Sequence, residues 1–241
     1  MEFTLLAAAA IGVACFWLML RWEAPSGNAA TCSVDLWDAG IGAAAVGLIV
    51  GRVVAMAQAG VNPFTDASQI LLVRSGVSTA GAALATMVVF AVIARHDLVA
   101  ASDGVSAAAV AGLAGWHGGC LATDSCLGTV SDLPWAFSLD GSDVTRHPVG
   151  LYTAGLLMAA AIGIALWKQR GRPPAGAPSG LALASAGGIL LVTEPLRISL
   201  DGAPIGLYTA GVVVGASVVA VSVALRRTSR RTASRDGRDV P

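Results

Sequence analysis

The residues whose types could do chemistry are few and sparsely spaced. The segment Gly115–Gly155, GWHGGCLATDSCLGTVSDLPWAFSLDGSDVTRHPVGLYTAG, carries two of the three histidines, His117 and His147, together with Arg146, Cys120, Cys126 and several aspartates. Histidine is the side chain that titrates nearest neutrality. His147, between Arg146 and Pro148, could therefore be a general base or a ligand for a charged headgroup; a histidine at a helix start with no such role is the alternative. His117 lies among glycines, which leave room beside it for a ligand.

Four arginines, Arg52, Arg74, Arg146 and Arg197, fall at the ends of four different apolar segments. An arginine at membrane depth is costly unless it has a partner or faces a polar cavity, and its planar fork suits phosphate. One reading is a shared pocket for an anionic lipid headgroup. The other is snorkelling side chains and ordinary ion pairs with Glu194, Asp132 or Asp143. Arg52 points to the pocket, because Val50-Gly51-Arg52-Val53-Val54 sets it inside an apolar run. Glu194 has Arg197 at i+3, on one helix face if the helix continues past Pro195. Cys15 reads as packing, and Cys120 and Cys126 could form a disulfide. No metal-ligand spacing is present, and neither metal nor cofactor is expected.

The elements that hold these residues follow from composition. The chain is 55% hydrophobic and 12% charged, with a mean hydropathy of +0.72. Soluble domains carry about 25% charged residues. Apolar runs of about 20 residues, continuous rather than alternating, predict an all-α polytopic membrane protein. The net charge is zero, and no nucleic-acid partner is expected. Seven spans are expected, at 2–20, 36–58, 77–94, 98–122, 148–167, 180–194 and 203–225. The fourth is weaker, rich in Gly and Ala. Gly40, Gly42, Gly47 and Gly51 in the second predict close helix approach. Residues 1–225 then form one seven-helix domain, and 226–241 a basic, disordered tail with six arginines.

Basic residues orient the spans. Arg21, Arg95, Lys168, Arg170, Arg172 and the tail arginines, eleven of the fifteen Lys and Arg, fall on one side. That side should be cytoplasmic. It puts the amino terminus and the Gly115–Gly155 loop outside, and the carboxy terminus inside. His96 is then on the inner side. The sequence GLYTAG occurs at Gly150–Gly155 and at Gly206–Gly211, each shortly after a proline. Recurrence of a good helix-start sequence explains it more simply than duplication.

Several of these pieces stand in a familiar order: Gly51-Arg52; Ser75-Gly76-Val77-Ser78 with Gly81; Gly119-Cys120-Leu121-Ala122 with Gly128; Asp132-Leu133-Pro134-Trp135-Ala136-Phe137; Arg146-His147-Pro148 with Leu151-Tyr152; and Glu194-Pro195-Leu196-Arg197. Over roughly Asp35–Asp201 this resembles the prolipoprotein diacylglyceryl transferases, seven-span enzymes of the bacterial inner membrane. The resemblance implies transfer of a diacylglyceryl group from phosphatidylglycerol to the lipobox cysteine thiol of a prolipoprotein, with glycerol phosphate released. It implies a base to make the thiolate, His117 or His147. It implies phosphate and substrate contacts from Arg52, Arg146 and Arg197, with Tyr152 and Glu194 also at the site. Membrane lipids and the prolipoprotein are the partners implied, and no cofactor.

The chain also departs from the family's pattern. Ala80 stands where the family has its signature histidine. The arginine of its glycine–asparagine signature falls on His117, the asparagines on Cys120 and Thr123, and the glutamate on Ser125. Gly150 and Thr153 replace the Gln and Glu of its Gln-Leu-Tyr-Glu, and Leu190 replaces an arginine four residues before Glu194. These changes leave open a member that has lost catalysis and binds anionic lipid or lipoprotein, or that uses another acceptor. A small transporter is a third reading, with little beyond the span count to support it.

Overall fold

The computed structural model describes residues 4–24, 32–62, 77–119, 127–138, 143–198 and 204–236. Among them are seven α-helices: α1 (Thr4–Glu23), α2 (Leu36–Gln58), α3 (Thr79–Ile93), α4 (Leu98–Gly118), α5 (Val149–Gly171), α6 (Ala177–Thr193) and α7 (Ile205–Asp236). A 3-10 turn at Glu194–Leu196 continues α6, and a hairpin of β1 (Phe137–Ser138) and β2 (Thr145–Arg146) lies between α4 and α5. Among the described residues, five helices are long and apolar enough to cross a membrane: α2, α4, α5, α6 with its turn, and α7. The chain is thus all-helical, with the make-up of a multi-pass membrane protein. Each helix lies on one of the seven apolar segments. α7 runs on as helix to Asp236, beyond Leu225 where the sequence reading starts the tail.

Helix starts follow local chemistry. The Asp35 carboxylate accepts from the backbone N–H groups of Trp37 (2.8 Å) and Asp38 (3.1 Å), which have no partner inside α2. Ser78 does the same for Gly81 at the start of α3. Pro148 and Pro204 precede α5 and α7, where a missing N–H costs nothing.

The fourth apolar segment, expected to be weaker, is the central helix. α4 packs against α1, α2, α5 and α6. It buries Ala101, Gly104, Val105, Ser106, Ala107, Ala108, Val110, Ala111, Ala114 and Gly115. Small residues let backbones come close, so packing replaces lipid contact as the source of stability. A Cβ on Gly115 would lie 2.7 Å from the Ile11 carbonyl oxygen of α1. On α2, Gly51 packs on α3 in the same way, with Ala82 and Val77 in the path of a Cβ, and Gly47 meets Ala82 and Thr86. Gly42 faces open space instead.

Polar side chains gather at the two ends of the bundle. At one end Lys168 of α5 pairs with Glu23 of α1 at 2.9 Å, both side chains almost fully buried. The same ammonium donates to the Gly104 carbonyl of α4 (3.0 Å). Asp103 of α4 reaches to α6, whose own cap, Gly176 at φ +85°, has no side chain to offer. Its carboxylate accepts from the N–H groups of Gly176 (2.6 Å) and Ser179 (3.0 Å). In the α3–α4 connection, the hydroxyl and the N–H of Ser33 both donate to Asp97 and hold its carboxyl below the usual range. That support is present above the ordinary carboxylate pKa and is lost as pH falls through the lowered one.

Removing one member of a buried ion pair strands the other charge. Lys168→Met is therefore expected to cost about 3–5 kcal/mol, and Glu23→Gln with Lys168→Met together much less. Thermal unfolding of the detergent-solubilised variants checks both.

Candidate functional site

At the opposite end of the bundle a small sheet positions the site. His147 is tied to the segment Gly128–Ser131 by two backbone bonds. Its N–H donates to Thr129 (3.0 Å), and its carbonyl accepts from Gly128 (2.8 Å). Ser131 N–H donates to Thr145 (3.0 Å), and the Thr145 hydroxyl donates back to Ser131 (2.6 Å). Arg146 thus has Phe137 opposite it on one side and Val130 on the other. Thr129 N–H then donates to Leu196 (2.9 Å), which fastens the 3-10 turn after α6 to this sheet. The junction requires a glycine. A Cβ on Gly128 would overlap the Leu196 carbonyl oxygen and a Val149 methyl.

That junction brings distant residues together. The turn at Glu194–Leu196 ends in an extended Arg197, and the Arg197 guanidinium enters a polar cluster. One nitrogen, Nη2, donates to Thr153 Oγ1 at 3.0 Å and lies 3.3 Å from His117 Nδ1. Its Nε is 3.9 Å from Glu194 Oε2. Thr153 is fully buried, and its own proton goes to the Val149 carbonyl (2.8 Å), so its lone pairs face the arginine. A guanidinium can only donate. His117 Nδ1 is therefore an acceptor in this contact, and the neutral ring carries its proton on Nε2. Arg197 Nε and Glu194 Oε2 are buried and lack a hydrogen bond among the described residues. Tyr208, buried on α7, is within electrostatic reach of both.

A second group sits beside the first at the start of α5. Arg146 Nη1 donates to the Gly128 carbonyl (3.2 Å). The His147 ring stands edge-on to Tyr152, with centroids 6.1 Å apart. The Tyr152 hydroxyl accepts from the Trp135 indole (2.8 Å). His147 Nδ1 is buried with no hydrogen-bond partner among the described residues. Tyr152 and Thr153 are neighbours in the chain, so the two groups share the first turns of α5.

The residues singled out by sequence fall into three places. His117, Glu194 and Arg197 form the first group, and Arg146, His147 and Tyr152 the second. Arg52 is 5% exposed on α2. There the next residue back, Gly51, accepts from Ser78 N–H at the start of α3. Arg74, Cys120 and Cys126 lie outside the described residues. Among the described residues no group of three or more His, Cys, Asp or Glu could hold a metal ion. Of the polar residues here, Thr153 enters the sequence pattern only as a replaced glutamate, and Tyr208, near the cluster but with no hydrogen bond to it among the described residues, only as part of the repeated GLYTAG. The repeat was the available signal, because both copies open a helix with the same bonds from the Leu and Tyr N–H groups to the preceding proline's carbonyl.

A family model described as prolipoprotein diacylglyceryl transferase matches residues 2–227. No curated protein matches the chain.

Gly128→Ala should separate the sheet from Leu196 and lower stability by about 1–3 kcal/mol, the usual cost of overpacking. Gly155→Ala, where nothing lies within 4 Å, should be neutral or slightly stabilising, since alanine is the better helix former. Thermal midpoints of the two variants test the contrast.

Proposed function

The chain belongs to the prolipoprotein diacylglyceryl transferase family, and from that premise we propose that it moves a diacylglyceryl group from phosphatidylglycerol to the lipobox cysteine of a prolipoprotein. The observation that carries this reading is the meeting of Arg197 with His117, Thr153 and Glu194, beside Arg146 and His147, at one end of an apolar bundle. In this reading the chain has seven spans, with its amino terminus outside and its carboxy terminus cytoplasmic, as the arginine and lysine distribution supports. The site then faces the outer side of the bacterial inner membrane, where the prolipoprotein cysteine is presented.

The reaction forms a sulfur–carbon bond to the glyceryl group and breaks the carbon–oxygen bond to phosphate. The thiol must first lose its proton, because the thiolate is the nucleophile. His147 is the better-suited base, since its Nδ1 has no hydrogen-bond partner among the described residues, whereas His117 Nδ1 already faces Arg197. The departing glycerol phosphate keeps the bonding electron pair. Arg197, Arg146 and Arg52 are the cations that would stabilise that charge, in a setting where water is scarce and each donor is worth more. His117 contributes an N–H from Nε2. Glu194 and Thr153 hold the Arg197 fork, and Tyr152 steadies the His147 ring. No cofactor enters the scheme.

A second reading, a member that binds anionic lipid or lipoprotein without transfer, draws on Ala80 and on Leu190. The latter is a buried apolar side chain one turn before Glu194.

The test is complementation of bacteria depleted of their own diacylglyceryl transferase, scored by the mobility of a model prolipoprotein. The expected result is restored modification. Arg197→Ala and Arg146→Ala should each lower it by about 10²–10³-fold, as loss of a charge-stabilising donor does. His147→Asn, which cannot take a proton, should cost about 10²–10⁴-fold, while His117→Asn, which keeps an acceptor for Arg197, should cost less. Absence of modification by a folded, membrane-inserted chain would replace transfer with the binding reading.

A further inference from the structure

The segment that carries Arg146 has an unusual surface. Val130 (61% exposed), Leu133 (40%), Trp135 (57%) and Phe137 (51%) are all large, apolar and open. Single exposed apolar side chains are ordinary, but a run of them marks something that covers it. The strand register sharpens the pattern. Directly opposed residues in an antiparallel pair point to one face, so Val130 and Phe137 flank Arg146 on the same side of the sheet. An arginine between two apolar side chains matches the boundary where lipid phosphates meet acyl chains.

The height of this edge is set by a hydrogen bond. Trp135 Nε1 donates to the hydroxyl of Tyr152 (2.8 Å), the fourth residue of α5. At a rise of about 1.5 Å per residue, Tyr152 is about 5 Å from the end of a membrane-crossing helix. The indole is thereby fixed at the end of a span, the depth at which tryptophan concentrates in membrane proteins. Asp132 and Asp143, both exposed within this segment, keep it from sinking into hydrocarbon, where carboxylates are expensive.

We propose that the edge formed by Val130, Leu133, Trp135 and Phe137 is a membrane-interface anchor, covered by the phospholipid surface at the site's end of the bundle, and that it holds Arg146 level with the lipid phosphates. The anchoring stands on the geometry of the sheet. Its consequence for Arg146 rests on the phosphate role proposed above.

The experiment uses the full chain in vesicles of phosphatidylcholine and phosphatidylglycerol, with the phosphatidylcholine brominated either near the headgroup or near the chain end. The emission of Trp135 is the difference between the parent and Trp135→Phe. Shallow bromines should quench it roughly twofold more than deep ones, as interfacial placement requires, and aqueous acrylamide should have little effect. Quenching by acrylamide and by neither lipid would overturn the proposal and leave the edge as a site for polypeptide. Equal quenching by both lipids would overturn it in the other direction, by placing the ring inside the span. Should Trp135→Phe not fold, Phe137→Trp in the parent supplies a second probe with the same expected order. No turnover is measured, so failure of the transfer reading and failure of the anchor are separate results.

Discussion

α4 can be central only because its side chains are small. A helix in a bilayer satisfies its own backbone, so what decides its place is which surface it offers to lipid and which to protein. α4 offers mostly alanine and glycine to its neighbours, and α1, α2, α5 and α6 close around it. Both polar ends of the bundle are built off this helix. Asp103 and the Gly104 carbonyl serve the end where Lys168 and Glu23 meet. At the other end His117, one residue from the end of α4, meets Arg197.

The helices were legible because apolar runs of bilayer length have few other uses. The weight given to each was less so. The fourth segment scored as weak because hydropathy measures suitability for lipid, and a helix surrounded by protein gains its stability from close packing instead. The break at Pro195 was visible and became the 3-10 turn that releases Arg197 from the helix. The Glu194–Arg197 pair was visible too, as a local i+3 spacing. The meeting of Arg197 with His117 had no local sign, since 80 residues separate them. The pairing of Glu23 with Lys168 had no local sign for the same reason.

Thr153 has a place in the fold that its departure from the family pattern does not convey. Read against the family it is a missing carboxylate. In the fold it is the fully buried acceptor for Arg197, with its own hydroxyl proton passed to the Val149 carbonyl. A threonine can spend its proton within its own helix and still present lone pairs outward. Thr153 is therefore a member of the polar cluster in its own right.

The Glu23–Lys168 pair also has a temporal side. Its two members are about 145 residues apart in a chain that ribosomes extend at about 5–20 residues per second, so α1 exists for roughly 7–30 s before its partner is made. During that interval Lys168 cannot be the partner of the Glu23 carboxylate. The first helix gains this buried ion pair only when the fifth arrives. Assembly of this bundle is consequently not a march from first helix to last. It is a closure, in which late synthesis completes the seat of the earliest segment.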